Sequence, residues 1–299
     1  MSLIKENVPL KNLNTFGIDV RARYFTRAGS VEELKQVLEH NRNFFPFMVI
    51  GGGSNILFTS DYNGLIIQPA IKGIEIIENN HEHCLVEVGA GEDWDDFVSW
   101  SVENNLGGVE NLSLIPGSTG SSPIQNIGAY GTEIKDVVEK VNYLDLETFE
   151  MISINNRDCH FGYRTSIFKN QLKNRVIITS VIFRLKHHPL FNTSYGNLHA
   201  ETIRLGKISL VTIRNAVINI RRSKLPDPKL LGNAGSFFKN PVVDLPAFER
   251  LKAAYPGLVA FPDKDGMKLA AGWLIEQAGW KGSARTLEPG RTEGLLTSE

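Results

Sequence analysis

Phe47-Met48-Val49-Ile50-Gly51-Gly52-Gly53-Ser54-Asn55-Ile56-Leu57-Phe58 sets an apolar run against a triple glycine and then turns apolar again. The flanks read as strand, and the loop offers main-chain N–H groups with no side chains in the way. Such a row of amides suits a pyrophosphate. A G-x-G-x-x-G fingerprint opens a helix, whereas here Ile56–Phe58 and, after a turn at Tyr62–Gly64, the run Gly64–Gln68 continue as strand. A dinucleotide at this loop is therefore held by something other than a doubly wound parallel sheet. Taken alone, a triple glycine marks a turn at least as readily as a ligand.

Upstream, VEELKQVLEH is a helix. Ser30 and Glu33 have capping-box spacing, and Val31, Leu34, Val37 and Leu38 form one apolar stripe. Downstream, strands are expected over IKGIEIIE and CLVEVGA, a helix over Trp94–Asn104, and strands over VEKVNYLDL, EMISI and VIITSVIFRL. Composition shifts after Lys186, where HHPLFNTSYGNLHAE reads as a connection. Helices come next over VTIRNAVINIRRSK, behind Asp244 and Pro246, and over GMKLAAGWLIEQAG. The pattern is α+β, mostly strands with interspersed helices and then a smaller mixed domain.

The 299 residues are ordinary for a globular chain, with 42% hydrophobic and 22% charged residues. A formal charge of −1 steers the whole molecule neither to nucleic acid nor to a membrane surface, so an anionic ligand must meet a local basic patch. The start lacks the layout of a secretory signal, and no run reaches the length of a membrane span. Cys84 and Cys159 are far apart and outside any metal-ligand spacing, so a reduced cytoplasm is the expectation. No metal site is expected: the cluster His81-Glu82-His83-Cys84 reads as a hairpin turn.

The most informative stretch runs from Ile115 to Gly131, with glycines at 117, 120, 128 and 131, several hydroxyls, and an amide pair at Gln125 and Asn126. That mixture permits close approach to a flat ligand with several hydrogen bonds, and long ordered loops are disproportionately functional. In Phe161-Gly162-Tyr163-Arg164 the arginine could fork onto a carboxylate or sit on the surface beside a packed tyrosine. The cations of Arg221-Arg222-Ser223-Lys224 could meet a diphosphate or decorate a helix C-terminus. Ser236 lies between small residues and two aromatics in GNAGSFFKNP, with no G-x-S-x-G elbow.

Taken in order, NTFGI, GGGSN, LIPGSTGSSPIQNIGAYG, CHFGYRTSIFK, YGNL, RRSKLPDP, GNAGSFFKNP and AAGWLIEQAGWKG resemble the UDP-N-acetylenolpyruvoylglucosamine reductase family across Asn14 to Gly282. The resemblance implies a vanillyl-alcohol-oxidase-like FAD-binding fold in two subdomains, residues 1–70 and 71–190, and an α+β substrate-binding domain over 191–299. It implies non-covalent FAD held by Gly51, Gly52, Gly53, Ser54, Asn55, Gly117, Ser118, Gly120, Gln125, Asn126, Gly128, Ala129 and Tyr130. NADPH is the co-substrate and UDP-N-acetylglucosamine enolpyruvate the substrate, in a cytoplasmic monomer of peptidoglycan synthesis. By match to the motifs, Arg164 steadies the substrate carboxylate and the enolate, and Ser236 gives the proton. Tyr163, Lys224 and Asn240 contact the substrate, and Tyr195 covers it.

The family continues past GWKG to a final block that supplies a glutamate. Here the chain runs on as SARTLEPGRTEGLLTSE, with Gly290 where that glutamate would fall, so neither Glu288 nor Glu293 is given the role. This departure raises two expectations: a frameshift near Gly282, and, as the alternative function, a flavin or nucleotide-sugar binding protein that is slow or inactive. Another flavoprotein of the same fold is disfavoured by RRSKLPDP and GNAGSFFKNP.

Overall fold

The computed structural model describes residues 4–40, 46–235 and 238–280, which divide into two compact units. The first contains the described residues up to Leu10, then Val20–Gly53 and Phe58–Ser223. It opens with β1 (Lys5–Pro9), β2 (Arg21–Ala28), α1 (Val31–His40), β3 (Phe47–Val49) and β4 (Tyr62–Pro69). The strand order is β1-β2-β4-β3, with β1 antiparallel to β2 and both β2 and β3 parallel to β4. Leu34, Val37 and Leu38 on α1 bury against Ala28, Leu65 and Ile67 of this sheet. The Ser30 hydroxyl accepts the Glu33 amide, and the Glu33 carboxylate accepts from Gly29, so the cap closes one residue early.

A second sheet, ordered β10-β9-β11-β6-β5, is antiparallel throughout. It is built from β5 (Ile74–Asn79), β6 (His83–Gly89), β9 (Val138–Asp145), β10 (Met151–Asn155) and β11 (Val176–Lys186), with α2 (Trp94–Glu103) laid across it. Its core holds Trp94, Phe97 and Phe183 in mutual ring contact. Asn80–Glu82 joins β5 to β6 as a hairpin, where Asn80 Oδ1 accepts from the Glu82 and His83 amides, so that His83 and Cys84 already lie in β6. A short ribbon, β7 (Gly128–Ala129) with β8 (Thr132–Glu133), sits within the long loop. The unit closes with α3 (Leu198–Leu205) and α4 (Leu210–Lys224), whose Leu198, Ile213, Ala216 and Val217 pack around Tyr130.

The second unit gathers Lys11–Asp19, Ser54–Leu57 and the described residues from Lys224 onward. It carries β12 (Val242–Val243), α5 (Leu245–Ala254), β13 (Ala260–Asp263), β14 (Gly266–Leu269) and α6 (Ala271–Gln277), with sheet order β12-β14-β13. Asp244 caps α5 by accepting from the Ala247 amide at 2.7 Å. Asn14 closes its own loop on Ile18, and the Asn233 amide donates to the Thr15 carbonyl at 3.0 Å.

Four expectations are corrected. Ile56–Phe58 is irregular chain and not strand, and Tyr62–Gly64, expected as a turn, is the start of β4. The helix expected over GMKLAAGWLIEQAG begins only at Ala271, because Gly266–Leu269 pairs with Ala260–Asp263 as a strand. The connection HHPLFNTSYGNLHAE ends inside a helix, α3.

Candidate functional site

The N-terminus of α2 fixes the entry of the long loop. Its cap Asp93 accepts from Asp95 and Asp96, and burial pushes the Asp93 carboxyl up against those bonds. The Trp94 indole donates to Leu112 at 2.8 Å, its amide donates to Gly117 at 3.0 Å, and Asp95 Oδ1 accepts the Leu114 amide. Arg214 on α4 grips the same Asp95 through both oxygens, at 2.6 and 3.0 Å. The turn from Gly117 to Gly120 therefore starts from a rigid point.

There the two glycine loops meet. A Cβ on Gly52 would lie 2.9 Å from the Gly117 Cα, and one on Gly51 would collide with the Ser118 hydroxyl. The Thr119 and Gly120 amides are committed to Glu92 and Ala90 carbonyls, which narrows the donors this turn can offer. Among the described residues, the N–H groups of Gly51, Gly52, Gly53, Gly117 and Ser118 make no hydrogen bond to protein. Clustered amides without protein partners suit the phosphates of a dinucleotide, so the residues present fit a pyrophosphate-bearing cofactor.

Farther along, Asn126 is fully buried and its side chain is used by the protein. Nδ2 donates to the Gly162 carbonyl and to Glu133, while Oδ1 accepts the Lys135 amide. This ties the loop to the turn Gly162–Thr165, closed by paired main-chain bonds. Arg164 sits in that turn at φ +54, with Nη2 on the Gly128 carbonyl at 2.6 Å and its guanidinium 5.6 Å from the Tyr163 ring centroid. Asn126 and Tyr130 share the left-handed conformation at φ +46 and +48. Such backbone persists where the surroundings over-determine it, as they do here. Ala129 lies in β7 beside Gly128, and Gln125 is half-buried.

Tyr195 is exposed and meets the Tyr130 ring edge-on at 6.1 Å. In the second unit, Ser54 is half-buried and Asn55 exposed, and Asn240 Oδ1 accepts the Ala271 amide at the start of α6. Lys224 is the exposed last residue of α4. Ser236 and the segment 287–291 lie outside the described residues. Sequence reasoning missed Asp95, Asn111, Asn192, Arg214 and Asn233, whose partners are main-chain carbonyls or charges distant in sequence. Asn233 is buried and folds its own segment by donating to the Pro226 and Leu231 carbonyls.

Among the described residues, no helix is long and apolar enough to cross a membrane. The FAD binding domain family profile matches residues 22–152, and that of the UDP-N-acetylenolpyruvoylglucosamine reductase C-terminal domain matches 227–286. The UDP-N-acetylenolpyruvoylglucosamine reductase of Flavobacterium johnsoniae is 50% identical over 283 residues, covering 93% of this chain and 84% of the relative. That of Pseudomonas putida is 48% identical over 282 residues, covering 93% and 83%. The solved UDP-N-acetylenolpyruvylglucosamine reductase of Thermus caldophilus shares the fold, with TM-score 0.66 and 24% identity over 99% of this chain and 90% of its own.

Proposed function

The chain belongs to the UDP-N-acetylenolpyruvoylglucosamine reductase family, and from that membership we propose how its own residues divide the reaction. It is an FAD-dependent oxidoreductase that reduces UDP-N-acetylglucosamine enolpyruvate to UDP-N-acetylmuramate with NADPH, in peptidoglycan synthesis. The alternative of binding without turnover gains no support from relatives named as reductases at 44% to 50% identity.

When bound, FAD supplies a two-electron carrier between NADPH and the outer carbon of the substrate alkene. The rest falls to side chains. As that carbon gains hydride, negative charge grows on the carbon beside the carboxylate and spreads onto its oxygens. Arg164 meets that charge with a guanidinium already held in place, so little reorganisation is needed. The observation that carries this role is the fastening of Arg164 to Gly128 within a strained turn. Ser236 then gives the proton to the charged carbon. An alcohol is a weak acid in water, but a positioned one suffices against a strongly basic enolate. That assignment rests on the block GNAGSFFKNP.

Lys224 serves the diphosphate, Asn240 the sugar, and Tyr195 and Tyr163 flank the ligand. The amides of Gly51–Gly53, Gly117 and Ser118 serve the FAD pyrophosphate, with Ser54, Asn55, Gly120, Gln125, Asn126, Gly128, Ala129 and Tyr130 completing the cofactor site. Functionally, residues 1–70 and 71–190 make up the flavin-binding part and 191–299 the substrate part. The setting is cytoplasmic, where NADPH and nucleotide sugars are found, and the working form is a monomer. Purification, a visible spectrum, and NADPH oxidation with and without the enolpyruvyl sugar nucleotide test the reading. A flavin spectrum and substrate-dependent oxidation are expected; a colourless chain, or oxidation indifferent to the sugar nucleotide, overturns it.

A further inference from the structure

Asn111 is buried, and its Nδ2 donates to the main-chain carbonyl of Tyr130 at 2.9 Å and to that of Asn192 at 2.7 Å. Asn192 answers in the opposite direction, donating from its own Nδ2 to the Gly131 carbonyl at 2.9 Å. Its Oδ1 then accepts from the Ser194 amide and hydroxyl. Gly131 has φ +79, and a Cβ there would stand 2.8 Å from the Asn192 amide nitrogen, so the approach depends on glycine. On the far side of Tyr195, Leu198 is fully buried and packs with Tyr130, Ile213 and Val217. The segment is thus held at both ends, and its exposed part runs from Ser194 to Asn197.

We propose that Asn111, donating to the Asn192 carbonyl, and Asn192, donating to the Gly131 carbonyl, form an amide clasp that sets the position of Tyr195 over the sugar nucleotide, making both of them positioning residues for this reaction. The proposal rests on the reading of Tyr195 as a substrate-covering residue. The clasp fastens the segment to the same Tyr130–Gly131 corner whose tyrosine ring meets Tyr195 edge-on. Closure is then confined to the exposed tip. Without the clasp, ordering the segment has to be done by the substrate, and its binding weakens by the free energy of the lost bonds. Net values near 1 kcal/mol per hydrogen bond convert to about fivefold for one bond and about thirtyfold for two.

The test compares Asn192→Ala, Asn111→Asp and Tyr195→Ala by KM for the enolpyruvyl sugar nucleotide, kcat and the NADPH half-reaction. Chymotrypsin cleavage within 190–196, with and without the sugar nucleotide, is followed in parallel. For Asn192→Ala we expect KM to rise about fivefold, with NADPH-driven flavin reduction within about twofold. Cleavage at Phe191 and Tyr195 should accelerate and slow again when the sugar nucleotide is added. Asn192 is half-buried, so this variant reads out even if Asn111→Asp, at a fully enclosed position, does not fold. If Tyr195→Ala raises KM while Asn192→Ala changes neither KM nor cleavage, the clasp is overturned and the covering role stands. If Tyr195→Ala leaves KM unchanged, the covering role falls, and this use of the clasp falls with it.

Discussion

Arg164 donates through Nη2 to the main-chain carbonyl of Gly128 at 2.6 Å, so the cation assigned to the substrate is fastened to the loop assigned to the flavin. A guanidinium has five N–H donors, and this bond together with a longer one to the Asn126 carbonyl leaves others for a carboxylate. The electrostatic element is thereby placed by main chain, which does not change rotamer.

Arg164→Lys keeps the charge and loses both the fork and the tie to Gly128. Flavin reoxidation by the enolpyruvyl sugar nucleotide should slow about ten- to a hundredfold, while reduction by NADPH stays near normal. Stopped-flow measurement of the two half-reactions decides, and equal slowing of both would make Arg164 structural.

Gly52→Ala sets a methyl against the main chain of Gly117, which cannot rotate away. The loops must part, at a cost of about 1–3 kcal/mol, and flavin occupancy should fall. The purified variant is expected to be pale; full occupancy by visible absorbance would refute the loop assignment.

Ser236→Ala should leave NADPH-to-flavin transfer near normal and slow the second half-reaction roughly a hundred- to ten-thousandfold. A cysteine there should keep part of the activity, because a thiol also donates. If the alanine variant protonates the enolate at the wild-type rate, the donor is elsewhere.

Asp95→Ala strips Arg214 of a two-oxygen partner and leaves the Leu114 amide without its acceptor. Both side chains are mostly enclosed, so about 2 kcal/mol of stability should be lost, read as a lower urea midpoint. A midpoint within error of wild type would show the pair to be dispensable.

Burial pushes the Cys159 thiol up to about 12 from an ordinary value of 9.0. The native state therefore keeps its proton where the unfolded chain has lost it. Cys159 accordingly costs nothing below pH 9 and withdraws stability as pH rises from there toward 12. The denaturation midpoint should fall less steeply with pH in that window for Cys159→Ala than for wild type. A thiol reagent should label Cys159 only after unfolding; rapid native labelling at about pH 8 would contradict the burial.

Much of the first unit could be read locally. The stripe of α1, the alternation in β6 and β9, and the hairpin at Asn80 each declare themselves within a short window. Gly266–Leu269 did not, because the run through Ala271 is continuous with helix formers and its strand character comes from pairing with Ala260–Asp263. In the site, glycine loops and Arg164 could be read as motifs. The support around them could not: Asn111, Asn192 and Asn126 act on carbonyls supplied by other segments, and a carbonyl has no sequence signature.

Thr15 and Asn233 meet through a main-chain bond in a unit assembled from stretches at the beginning, the first quarter and the last part of the chain. During synthesis the early stretches leave the ribosome long before their partners exist. The Asn14–Ile18 loop can close on itself, but its bond to Asn233 waits until Lys224 and the residues after it have emerged. Residues 224–280 expressed alone would lack those stretches and should gain no cooperative unfolding transition, whereas adding back a peptide spanning Lys11–Asp19 offers a partner for Asn233. The earliest-made part of this unit is then among the last to reach its final state.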